Sequence, residues 1–212
     1  MSIEKSAPWP DLKRGLVAIL RGVKPDEIDE IASALVEAGF GALEIPLNSP
    51  DPFTSIKKAV LAHGNNCLIG AGTVLTERNV DQLAESGGRL LVSQNINADV
   101  MKRAGHHKMV TMPGVFTATD AFQAIDCGAS GLKFFPANVL GPAGIKAIMA
   151  VLPPDLPVGA VGGVAEDDFA DYGKNGISVF GLGSSIYKPG MSASEVSQRA
   201  IKTIAAYDAV FG

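Results

Sequence analysis

Short, wholly apolar runs alternate along this chain with amphipathic stretches at nearly even spacing. Leu16-Val17-Ala18-Ile19-Leu20 carries no polar side chain and ends at Arg21-Gly22, the pattern of a strand buried on both faces. Pro25-Asp26-Glu27 then opens a helix, with proline in its first turn and acids at the positive end of the helix dipole. Ile28, Ile31, Ala32 and Leu35 fall at i, i+3, i+4 and i+7, and Gly39 ends the helix.

The same strand–helix unit recurs seven more times. Strands are expected at 42–45, 67–71, 89–92, 109–112, 132–135, 158–161 and 178–182. The helices between them carry Phe53, Ile56 and Val60, then Val80, Leu83 and Ala84, then a stretch near 97–105. After these come Ala118, Ala121, Phe122 and Ile125 at core spacing, then Ile145, Ile148, Met149 and Leu152, then Phe169 and Tyr172. The last helix is expected from about Ser192 to Tyr207, and the polar residues 4–14, with Pro8 and Pro10, as a short helix or cap. Eight even units without a linker predict one α/β domain over 1–212, a parallel (β/α)₈ TIM barrel. An open doubly wound sheet is the alternative, but it seldom needs so many even repeats.

Composition narrows the partners. Apolar residues make up 47% of the 212, enough for a substantial core, and the net charge of -4 comes without a basic block. No nucleic-acid partner is therefore expected. No apolar run approaches ~18 residues, so no membrane helix is expected. Met1 to Ser6 lack the apolar core of a signal peptide. Cys67 and Cys127 lie in separate apolar segments and read as two buried thiols, so the expected location is cytoplasmic.

The candidate chemistry centres on Gly131-Leu132-Lys133-Phe134-Phe135-Pro136. Strand alternation sends Leu132 and Phe134 one way and Lys133 and Phe135 the other. A lone lysine of this kind is either a surface residue of an edge strand or the occupant of an enclosed polar cavity. In a barrel the second applies: desolvation lowers the amine's pKa, and a neutral amine can add to a ketone as a Schiff base. Glu44, between Leu43 and Ile45, alternates into the lumen as well. The second and sixth strands face each other across an eight-stranded ring. A structural ion pair is the competing reading of Glu44 and Lys133, but buried pairs add little stability. An amine with an acid/base group beside it is what iminium chemistry requires.

Active sites of such barrels gather at the C-terminal ends of the strands. Arg21 and Thr73 sit there, as do two glycine turns, Val161-Gly162-Gly163-Val164 and Gly181-Leu182-Gly183-Ser184-Ser185. Turns after the seventh and eighth strands commonly cradle phosphate with backbone N–H groups, and Ser184 adds a hydroxyl donor. The ligand expected is thus a small phosphorylated molecule. No His/Cys/carboxylate cluster has metal-ligand spacing. Gly70-Ala71-Gly72 leaves the dinucleotide fingerprint incomplete, and His63 and the His106-His107 loop read as solvent-exposed.

Taken together, these motifs resemble the class I aldolases of 2-keto-3-deoxy-6-phospho sugar acids. The resemblance runs from Ala18-Ile19-Leu20-Arg21-Gly22 to Gly181-Leu182-Gly183-Ser184, and is most specific at Glu44-Ile45-Pro46-Leu47-Asn48-Ser49-Pro50, Gly70-Ala71-Gly72-Thr73-Val74-Leu75, Leu132-Lys133-Phe134-Phe135-Pro136 and Val161-Gly162-Gly163. Asn48 and Val161 make it most similar to the 6-phosphogalactonate branch, since the 6-phosphogluconate branch typically has arginine and threonine there; Ala137-Asn138 replaces serines common in the former. The resemblance implies that Lys133 forms the Schiff base and that Glu44 acts through a bound water as general acid/base. It also implies that Arg21 and Thr73 hold the substrate carboxylate and that Gly162, Gly163, Gly183 and Ser184 hold the phosphate, with Val161 beside them. A homotrimer and a reaction without metal or cofactor are implied too. Rival readings are a gluconate-type or 4-hydroxy-2-oxoglutarate aldolase, a phosphate-binding isomerase or epimerase, and a barrel that senses a sugar phosphate without reacting.

Overall fold

A computed structural model of the chain describes residues 5–212. Its frame is a single parallel sheet of β1 (Leu16–Ile19), β2 (Ala42–Pro46), β3 (Leu68–Gly72), β4 (Leu90–Val92), β5 (Val110–Met112), β6 (Gly114–Val115), β7 (Leu132–Phe134), β8 (Val158–Val161) and β9 (Val179–Leu182). The strand order is β5-β4-β3-β2-β1-β9-β8-β7-β6. β5 and β6 are two halves of one barrel strand parted at Pro113, whose missing N–H interrupts the ladder. The first half pairs with β4 and the second with β7, so this one segment bridges the two ends of the sheet. Eight strand positions thus form the TIM-type barrel, and the strand carrying Lys133 is β7.

Eight helices surround it: α1 (Ile28–Ala38), α2 (Pro52–His63), α3 (Glu77–Glu85), α4 (Ala98–His106), α5 (Ala118–Asp126), α6 (Ala137–Met149), α7 (Phe169–Gly173) and α8 (Ala193–Phe211). Local chemistry sets their starts. Thr76, Asn97, Thr117 and Ser192 each accept a backbone N–H from the first turn, satisfying donors that no helical carbonyl can reach. α1 ends on Gly39 at φ 112°, a left-handed cap that favours glycine.

Strand alternation divides the core in two. Leu16, Ala18, Leu43, Ile45, Ile69, Leu132, Phe134 and Phe180 point outward and pack under the helices. Val17, Ala42, Leu68, Leu90, Val92, Val110, Met112 and Val179 point inward and fill the lumen. The N-terminal arm seals the lower end. Ala7 bridges to Val110 and Trp9 and Leu12 pack on the inner cluster, while Ala7 N donates to the Met109 carbonyl at 2.9 Å.

Several expectations need correcting. Residues 5–14 form this arm as a cap and not a helix, and Glu4, like the start of the stretch Met1 to Ser6, lies outside the described residues. Pro25, Asp26 and Glu27 form a turn ahead of α1, and Leu152 lies beyond α6. On α5, Ala118 and Phe122 are exposed, and Ala121 and Ala124 are the buried pair. Phe122 follows Ala121 by one position, a 100° step that turns it away from the core. α8 runs four residues past Tyr207, to Phe211, because Phe211 packs on Tyr207 at 4.6 Å between ring centroids. Cys67 is buried, with its thiol pKa pushed up to about 12 by burial, whereas Cys127 is half-buried.

Candidate active site

β2 and β7 lie opposite each other in the ring, with β1, β9 and β8 between them on one side. Lys133 and Glu44 project from these two strands into the lumen, 3% and 4% exposed. They border one small void of about 10 Å³, together with Val17, Ile19, Val161 and Gly181, close to the lower limit for holding one water. No ion pair among the described residues joins the two groups. Glu44 Oε2 is buried without a hydrogen-bond partner among the described residues.

Burial works against the charged form of both groups. Burial pushes the Lys133 amine below its ordinary value, opposed by the Glu44 charge and assisted by Arg21. Burial pushes the Glu44 carboxyl up, opposed by Lys133 and Arg21. Desolvation dominates in both cases, so each group is driven towards its neutral form. Lys133 Nζ also stands 4.9 Å from the centre of the Phe135 ring.

The carboxyl's position depends on a glycine. A Cβ at Gly72 would overlap Glu44 Oε2 and stand 2.5 Å from its Cδ. Gly72 pairs with Pro46 at the end of β3, so the Glu44 side chain occupies room that any larger residue there would fill.

Above the lysine opens a cavity of about 430 Å³, lined by Arg21, Phe135, Val161, Gly162, Gly163, Gly183 and Ser184 among others. Six of the sequence-derived site residues thus share one wall. Gly162 and Gly163 follow β8 at φ 94° and 69°, consecutive left-handed conformations that strongly favour glycine. A Cβ on Gly162 would meet the Phe135 ring at 3.1 Å, and one on Gly163 would meet Asn138 Cγ at 2.6 Å. At Gly183 a Cβ would meet nothing. The Gly183 carbonyl accepts from Ile186 N and Tyr187 N, both at 2.9 Å, so the loop turns helically beside the cavity that Gly183 and Ser184 line. Arg199 Nη1 holds the Ser184 and Ser185 carbonyls at 3.2 and 3.1 Å. Backbone N–H groups presented by such turns suit a phosphate. Val161 borders both the void and the cavity, linking the lysine to the glycine turn.

Arg21 Nη1 donates to Asn48 Oδ1 at 2.8 Å, which ties the ends of β1 and β2 together at the rim. Thr73 does not line the large cavity; it lies one residue beyond Gly72, on the Glu44 side, at φ 61°. Gln94 Nε2 donates to its hydroxyl at 3.0 Å. Sequence reading passed over Gln94 and Arg199, because an amide after a strand and an arginine on a helix carry no pattern. The histidines are also not simply solvated. His107 Nε2 bonds Asp81 Oδ1 at 2.8 Å at the end of α4, and His63 Nε2 meets Ser33 Oγ at 3.0 Å. Both are at a distance from the cavity's lining.

Chemically, the arrangement offers a desolvated amine, a carboxyl bordering the same void, and two glycine turns along the cavity beyond them. Comparison with known proteins identifies the family. The family model "Aldolase: KDPG and KHG aldolase" matches residues 12–204. A Rhizobium meliloti (strain 1021) protein named "Probable 2-dehydro-3-deoxy-6-phosphogalactonate aldolase" is 62% identical, over 97% of each chain. The "2-dehydro-3-deoxy-6-phosphogalactonate aldolase" of Escherichia coli (strain K12) is 47% identical over 92% of this chain and 95% of its own. A solved structure described as "Native KDPGal structure" superposes with a TM-score of 0.93 at 45% identity, covering 96% of this chain and 98% of that one.

Proposed function

The chain belongs to the KDPG and KHG aldolase family, and from that membership we propose that it cleaves 2-dehydro-3-deoxy-6-phosphogalactonate to pyruvate and glyceraldehyde 3-phosphate through a Schiff base on Lys133. It is an aldolase, a carbon–carbon lyase, as its 62% and 47% identical relatives are by name. The observation that carries the mechanistic reading is the lumen pair. An amine with depressed proton affinity faces a carboxyl with raised proton affinity and an unpartnered oxygen.

The steps follow from that starting state. Neutral Lys133 Nζ adds to the C2 ketone, giving a carbinolamine. Glu44 in its protonated form, which burial favours, donates its proton to the departing hydroxyl, and water leaves with formation of the iminium. The resulting carboxylate accepts the C4 hydroxyl proton. The C3–C4 bond then breaks, its electrons flow into the iminium, and glyceraldehyde 3-phosphate departs. Protonation of the enamine at C3 and hydrolysis release pyruvate and return the amine. A single water relays Glu44's proton where direct contact is too long. Arg21 and Thr73 hold the carboxylate; Gly162, Gly163, Gly183 and Ser184 hold the phosphate.

The working form is a homotrimer of one-domain chains in the cytoplasm, acting without metal or cofactor. Among the described residues no helix is long and apolar enough to cross a membrane. Side-by-side cleavage of the two C4-epimeric substrates tests the reading. The galactonate epimer is expected to have the higher kcat/KM. A higher value for the gluconate epimer would reassign the substrate, and cleavage of neither would remove the function.

A further inference from the structure

Gln94 stands two residues past β4, on the rim where the strand ends converge, and is half-buried. Its backbone is fixed. Gly114 has no Cβ, and one added there would lie 2.5 Å from the Gln94 carbonyl oxygen. The neighbouring Ser93 hydroxyl donates to the Asn95 carbonyl at 2.7 Å, holding the turn. The side-chain amide makes one bond, from Nε2 to Thr73 Oγ1 at 3.0 Å. Its Oε1 is buried with no partner among the described residues. A buried acceptor left open is costly unless something fills it in the working protein.

The direction of the Thr73 bond has a chemical consequence. A hydroxyl has one proton and two lone pairs. Since Thr73 Oγ1 accepts from Gln94, its proton is left over for another acceptor. Thr73 is also held at φ 61°, so its hydroxyl is directed by backbone and partner together. Resting on the Schiff-base reading of Lys133 and on Thr73 as a carboxylate contact, we infer that Gln94 is a positioning residue for the keto-acid carboxylate. Its amide orients the Thr73 hydroxyl to donate to that carboxylate, and its open Oε1 accepts from a hydroxyl of the bound carbinolamine.

A glutamate at position 94 separates this role from a merely structural one. Gln94→Glu keeps the shape and can still bond Thr73, but only by taking the Thr73 proton, and it sets a negative charge near the substrate carboxylate. Gln94→Met removes the bond without adding charge. A structural role makes Glu the milder change; the positioning role makes it the harsher one.

The experiment titrates pyruvate against borohydride labelling of Lys133 in the full-length protein, with thermal stability measured in parallel. Gln94→Met is expected to raise the half-maximal pyruvate concentration about three- to tenfold, the equivalent of one neutral hydrogen bond. Gln94→Glu should raise it at least about tenfold further, through like-charge repulsion. Inhibition of cleavage by inorganic phosphate should be unchanged in both. In a Thr73→Val background the added Gln94→Met should have a smaller effect than in the wild type, since only the Oε1 contact is then left to lose; an effect as large as in the wild type would overturn the orienting role. Wild-type labelling with unchanged half-maximal concentrations in both Gln94 variants overturns this inference alone, as does Gln94→Glu behaving better than Gln94→Met. Absence of labelling in the wild type overturns the Schiff-base reading and takes this inference with it.

Discussion

Replacing Gly72 by alanine should reproduce much of the loss of Glu44 without touching that residue. The backbone at position 72 lies outside the left-handed region, so alanine is conformationally allowed there and the only obstacle is space. All three nearest atoms to the added methyl belong to the Glu44 carboxyl, with Cδ at 2.5 Å and Oε1 at 2.9 Å. Restoring ordinary contact near 3.4 Å moves Cδ by about 1 Å and the overlapping Oε2 by about 2 Å, and misplacement of even 1 Å costs on the order of 10²-fold in rate. Overpacking of a tight site costs about 1–3 kcal/mol, or a Tm drop of about 2–4 °C per kcal/mol for a chain of this size. The assay is steady-state cleavage alongside thermal melts of Gly72→Ala, Glu44→Ala and the double variant. In the Glu44→Ala background the carboxyl is gone, so Gly72→Ala should become neutral or stabilise by about 0.4–1 kcal/mol through the unfolded chain. The single and double penalties then differ by a coupling of about 1–3 kcal/mol. Near-normal turnover in Gly72→Ala, or a melting penalty that persists without Glu44, refutes the reasoning.

Other expectations follow from the same geometry. Glu44→Gln keeps shape and hydrogen bonding but removes the acid/base group, so kcat should fall ~10²–10⁴-fold and pyruvate should label Lys133 only more slowly; near-normal turnover would leave Glu44 a structural charge. Val161→Thr adds a hydroxyl between the lysine and the glycine turn, and should move the kcat/KM ratio about three- to tenfold towards the gluconate epimer; an unchanged ratio contradicts the placement. The Lys133 amine should also cost stability. Its folded pKa lies below the unfolded value of 10.5, so between the two the unfolded chain binds the extra proton and stability rises with pH. Measured in a Glu44→Gln background, Lys133→Met should therefore stabilise by about 1–4 kcal/mol near neutral pH, with the gap narrowing as pH approaches 10.5. A gap that is absent or widens with pH would mean that the lysine is not desolvated.

The barrel was legible because its strands are buried on both faces and so read as unbroken apolar runs. Lys133 and Glu44 were legible for the complementary reason, each being a charge inside such a run. Strand alternation alone sends both to the lumen, and the strand order places them opposite each other. What could not be read was set by contacts distant in sequence. The Trp9 arm closes the lumen floor, yet polar residues with two prolines carry no periodic signal. Pro113 splits the fifth strand between two neighbours, which only the closure of the ring requires. Phe122 passed as a core residue because an aromatic one step from the true stripe looks periodic in a short helix. Gln94 reaches Thr73 across 21 residues, and nothing local to either marks the bond.

The central claim is that Lys133 is the amine that bonds covalently to the keto acid. Borohydride reduction in the presence of pyruvate, followed by peptide mass analysis, tests it directly. The account requires a reduced pyruvyl adduct on the peptide carrying Lys133, absent without pyruvate and absent in Lys133→Ala. An adduct on another lysine, or active protein with no adduct, would contradict it.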